Sequence, residues 1–159
     1  MAADASGGEH LEQLAYDLAL RTLGQQERLL EELRARTGVL LTATAIVVSF
    51  LGGRALATNG DAWLTLTGTA AAIASIVLGV YVLLPKSGFT FALYGAAVYE
   101  HFQAEGTPLR DVQRTLSYWM KSAWDDNQNA IDRLIVFFRV ACALLVLAIG
   151  LWSLELALD

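Results

Sequence analysis

An all-α integral membrane protein, with three transmembrane helices extended into a cytoplasmic helical bundle, is the fold class that this sequence of 159 residues predicts. Three observations carry that prediction. The chain is 55% hydrophobic and only 17% charged, whereas soluble domains hold roughly a quarter charged residues. Three apolar stretches each approach the roughly 20 residues that a helix needs to cross a bilayer. None of them alternates with the period of two that a barrel strand requires.

Taken in order, residues 1–8 (MAADASGG) read as a flexible tail. Residues 9–36 contain no proline, and Leu11, Leu14, Ala15, Leu18, Leu29, Leu30 and Leu33 recur at threes and fours, which predicts a cytoplasmic helix. Arg28, Glu32 and Arg36 stand four apart and add modest support. The first span is 37–57, with Arg54 its one charge, and the second is 62–84, with none. Pro85 and Gly88 break the chain there. Residues 86–133 read as a helical hairpin, with Phe89 to Gln103 returning as a helix. Alternatively, its aromatic residues lie in the inner interface. Thr107-Pro108 has the form of an N-cap followed by proline at the first helical position. No proline or glycine then occurs until Gly150, so one continuous helix is expected from Pro108 through the third span, 134–157.

Lys and Arg set orientation. The N-terminal stretch holds Arg21, Arg28, Arg34 and Arg36, and the long loop holds Lys86, Arg110, Arg114, Lys121 and Arg133. Arg54 alone lies on the opposite side. The N-terminus and the long loop are therefore expected in the cytoplasm of a bacterial cell and the C-terminus outside the inner membrane. Trp63 and Trp152 would then lie at the outer interface, with Glu155 and Asp159 facing outer water. A first span preceded by 36 residues does not have the form of a cleaved signal peptide.

Charge narrows the function classes. Residues 1–37 hold seven acids against four arginines, and residues 86–133 six acids against five bases. Such a face has no polybasic patch, so neither nucleic acid nor anionic headgroups should be drawn to it at long range. Cys142 stands alone in the third span, and His10 and His101 have no partner at ligand spacing, so no metal or other cofactor is expected. Neither a phosphate loop, an HExxH motif nor a nucleophile beside a base appears, and the chain does not read as an enzyme. With no acid expected inside a span, proton-coupled transport is disfavoured.

Three constellations remain. Ala71, Ser75 and Gly79 at fours, and Thr42, Ala45, Ser49 and Gly52 on the first span, are small enough to let helices approach closely. They suit packing within one protomer, an interface between protomers, or a hydroxyl-lined pore to which Thr65, Thr67 and Thr69 add. Arg139, inside the third span, either snorkels to the inner interface or rings a pore mouth. Asn127, Asn129 and Asp132 lie in the most polar run of the chain, either a solvated face or part of a gate. Trp119 and Trp124, 15 and 10 residues before the third span, are candidates for bundle core or subunit contact.

The segments ELRARTGVLLTATAIVVSFLGG, VLLPKSGFTF and WDDNQNAIDRLIVFFRV resemble those of small actinobacterial membrane proteins of unassigned role. Their layout is similar to that of the SLATT and Pycsar-type membrane effectors of bacterial nucleotide-signalled immunity. The resemblance implies self-association in the bilayer, a cytoplasmic protein or nucleotide partner, and assembly that compromises the inner membrane. A membrane scaffold anchoring a cytoplasmic partner through its bundle is the alternative.

Overall fold

No proline interrupts the chain before Pro85, and the backbone is helical almost throughout that length. The computed structural model describes residues 3–57, 62–86, 88–91, 100–102 and 107–158. Helix α1 runs Ala3–Val47, continues through a π turn, Val48–Gly52, into the short α2, Gly53–Ala57, and is followed by α3, Ala62–Leu83, and α4, Leu109–Leu158. No strand occurs among the described residues. Three helical segments there, Glu12–Ala57, Ala62–Leu83 and Leu109–Leu158, are long and apolar enough to cross a membrane.

Several boundaries differ from expectation. Helix α1 begins at Ala3, inside the stretch read as a flexible tail; Gly7 and Gly8 lower helix propensity by about 1 kcal/mol each without blocking a backbone hydrogen bond. The carbonyl of Pro108 accepts from the amides of Asp111 and Val112 at 3.0 and 3.2 Å, so α4 starts one residue later than predicted. From there it is continuous for 50 residues, as the absence of helix breakers requires. Helix α3 stops at Leu83, and Gly88 takes φ +132°, a left-handed value that suits glycine. Residues 89–91 are not helical, contrary to the expected return from Phe89, while 100–102 are. The rest of that expected helix, 92–99 and 103, lies outside the described residues, as does Asp159.

The chain divides into two compact units. One comprises Met1–Leu30 with Lys86–Ile131, the other Glu31–Pro85 with Asp132–Asp159. In the first, Leu23, Leu116 and Met120 are buried, and Tyr16, Ala19, Phe102, Val112 and Ala123 pack around them. Trp119 and Trp124 are 42% and 37% exposed, so neither is core. The buried positions of α4 here are 116, 120, 127 and 131, and Trp119 falls beside that line. Its ring lies at the rim, 5.7 Å from His101 and 5.9 Å from Phe102.

In the second unit, Ala55, Ala71, Ala72, Ala148 and Trp152 form the core, joined by Val47, Val48, Leu51 and Leu144. Burial on α4 follows 134, 141, 145, 148, 152 and 155, the three-and-four spacing of a helix seam. On α3 it follows 64, 68, 71, 72, 75, 79 and 82, mostly small residues. On α1 the step from buried Thr37 to Thr44 is seven residues, but the next, to Gly52, is eight. The π turn absorbs that extra residue: the Gly53 amide bonds the carbonyl of Val48, five residues back. Gly52 and Ala55 thereby return to the core, while Thr42, Ala45 and Ser49 stay exposed.

Candidate functional site

Within the second unit, small residues of one helix meet large ones of another. A β-carbon on Gly79 would lie 2.8 Å from Leu41 Cδ2, and one on Gly68 2.7 Å from Trp152 Nε1. Ser75, fully buried, donates its hydroxyl to the carbonyl of Ala141 at 2.8 Å. Tyr81 meets Phe137 edge-on with centroids 5.1 Å apart. Ala71, Ser75 and Gly79 thus all face neighbouring helices of their own chain. Thr42 and Ser49, by contrast, bond only their own helix, to the carbonyls of Gly38 and Ala45. Gly52, expected beside them, lies instead against Trp152.

The polar centre of this unit is one that hydropathy concealed. Trp152, expected at the outer interface, is 1% exposed, its ring held between Gly52 and Gly68. One turn on, Glu155, expected in outer water, is 2% exposed. The Thr65 hydroxyl donates to Glu155 Oε1. Glu155 Oε2 and Trp152 Nε1 are buried without a hydrogen-bond partner. The available signal was periodic: Ala141, Leu145, Ala148 and Trp152 run at four, three and four, and the next step of three is Glu155. A buried acid thus exists in a helix long and apolar enough to span, which removes the premise on which proton coupling was disfavoured. Thr67 and Thr69 bond the carbonyls of Trp63 and Thr65, so they add no free hydroxyl donors to it.

The first unit holds a separate polar set. Gln26, 4% exposed, donates through Nε2 to the carbonyl of Trp124 and to Gln128 Oε1, both at 3.1 Å. Asn127, 1% exposed, donates Nδ2 to the carbonyl of Thr90 at 2.9 Å and accepts the Thr90 amide at 3.2 Å. That pairing places Asn127 in the interior of this unit. Asn129, Asp132 and Arg139 are exposed. Asn127 points the other way because it is two residues from Asn129, about 200° around a helix. A cleft of about 470 Å³ is lined by Glu12, Ala15, Arg114, Ser117, Tyr118 and Lys121, and Glu12 Oε2 is buried without a partner.

Among the described residues no cluster of three His, Cys, Asp or Glu side chains has metal-binding geometry. No family model matches the chain, and no curated protein or solved structure matches it.

Proposed function

We propose that this chain is a non-enzymatic, self-associating protein of the bacterial inner membrane, with N-terminus inside and C-terminus outside, that acts as a membrane-perturbing or pore-forming effector. The observation that supports association is a division of labour between two small-residue faces. The face of α3 is occupied by α1 and α4, whereas Thr42 and Ala45 on α1 and Ser49 in the π turn are exposed, the hydroxyls of Thr42 and Ser49 being bonded to carbonyls one turn back on their own helix. An exposed small face in a spanning helix favours close approach by another helix. The effector role rests on similarity of layout to the SLATT and Pycsar-type proteins. In the full chain in detergent, the mass of the particle read by light scattering should exceed that of one chain. Replacing Thr42 and Ser49 together by leucine should return it to one chain without loss of helix content. A wild type that is monomeric at every concentration, or a variant that associates equally, would overturn the proposal.

The cleft between Glu12 and Lys121 supports the scaffold reading, since it is a concave surface that sets Ala15 and Tyr118 among the ionisable groups of Glu12, Arg114 and Lys121. Planar-bilayer recordings with and without cyclic nucleotides separate the two roles. Current supports the effector. Silence, with a stoichiometric soluble partner that Tyr118→Asp releases, supports the scaffold.

A further inference from the structure

Burial of a carboxylate demands a counter-charge or a full set of donors. Glu155 has one donor, the hydroxyl of Thr65, and its second oxygen has none. Among the described residues no basic side chain forms an ion pair with it, and Arg34 and Arg36 of α1, in the same unit, precede the π turn by more than ten residues. Helix α3 carries no Asp, Glu, Lys, Arg or His. The π turn and α2 carry only Arg54, which is exposed. The nearest basic residue along α4 is Arg139, sixteen positions earlier and also exposed. His101 belongs to the other unit.

We propose that Glu155, together with Thr65, is a monovalent-cation site at the end of the helices, its carboxylate neutralised by a cation taken from solution and not by a protein side chain. The surroundings suit such an occupant. The Thr65 hydroxyl, while donating to one carboxylate oxygen, keeps lone pairs for an ion. Trp152, one turn away on the same buried line, adds a second polar atom without a partner, its indole Nε1. The neighbouring π turn is an irregularity of the kind that recurs at functional sites. The site goes beyond the association proposed above, because it lies on a buried line and not on the exposed face of α1.

Two arms of one experiment distinguish the sources of the cation. Thermal unfolding of the full chain in detergent is measured against sodium replacing choline at fixed pH and ionic strength, and against acidification in choline alone, kept above about pH 5 so that ordinary carboxylates remain ionised. A ligand bound by the folded state stabilises it, so each tenfold rise in the occupying cation above its dissociation constant should multiply the folding constant by up to about ten. Dependence on sodium identifies an alkali ion, and dependence on acid alone identifies a proton. Glu155→Gln keeps an acceptor for Thr65 and removes the charge, so it should abolish whichever dependence the wild type shows. Glu155→Asp keeps the charge one methylene further back and should require more cation for the same effect, a readout that survives if the Gln variant fails to fold. A wild type insensitive in both arms, or a Glu155→Gln protein as sensitive as wild type, overturns the proposal.

Discussion

Adding one methyl group to Gly68 tests how tightly the second unit is packed. The ideal β-carbon would lie 2.7 Å from Trp152 Nε1, 2.9 Å from Cδ1 and 3.3 Å from Cε2. The indole has little room to retreat, because a β-carbon on Gly52 would already stand 3.1 Å from Cη2 at the other end of the ring. Forcing an extra methyl into a filled core costs about 1–3 kcal/mol. Alanine in a helix gains about 1 kcal/mol over glycine, and the proper control registers that gain alone. Gly150 lies in the same unit with nothing within 4 Å of its would-be β-carbon. Gly150→Ala should therefore be neutral or stabilising, and Gly68→Ala should fall below it by about 1–3 kcal/mol. At about 2–4 °C per kcal/mol for a chain of this size, the gap is readable by circular dichroism on heating in detergent. Trp152→Phe removes the indole nitrogen, the nearest of these atoms, and shrinks the ring, so in that background Gly68→Ala should lose part of its penalty, a coupling of about 1 kcal/mol. A Gly68→Ala protein as stable as Gly150→Ala would refute the clamp on Trp152.

Asn127→Leu should free both backbone groups of Thr90, at about 1 kcal/mol per hydrogen bond; because Thr90 is exposed, the loss should appear as faster amide exchange at 88–91 with little global change. Ser122, exposed inside α4, should tolerate alanine, whereas Ser122→Pro should cost about 3 kcal/mol by deleting a backbone bond and creating a clash; unchanged thermal stability would mean that this stretch is not a packed helix. Reporters placed at 59–61 and after Asp159 should both read outside, and an N-terminal reporter inside; a cytoplasmic C-terminus would eliminate three crossings.

The sequence alone carries whatever depends on local chemistry. The continuity of α4 follows from an unbroken run of helix-compatible residues, and the three candidate spans follow from length and absence of charge. What escaped depends on which side of a helix faces its neighbours. Trp119 and Trp124 suggest core by size, yet Leu116 and Met120 hold that place because they share a line with Asn127 and Ile131. Trp152 and Glu155 suggest the interface by position near the end of an apolar run, yet both continue the buried spacing of α4. Gly52 was grouped with Thr42, Ala45 and Ser49 by ideal helical spacing, and a single π turn moved it to another face.

Packing inside one chain and association between chains use different small residues. Substituting Gly79 by leucine places a large side chain where even a β-carbon would be 2.8 Å from Leu41, so the first effect is on the fold of one chain, and any loss of association is secondary. Thr42 and Ser49 lack this confusion: each is exposed, and the hydroxyl each would lose is bonded only within its own helix. Leucine is also a better helix former than serine or threonine, so the double variant should hold its helix while filling a face that another chain would need to approach. The same reasoning separates association from the Glu155 site. Changes at Thr42 and Ser49 should leave cation dependence intact, and Glu155→Gln should leave the oligomer intact. Loss of both properties from either change would show that the exposed face and the buried acid belong to one coupled device.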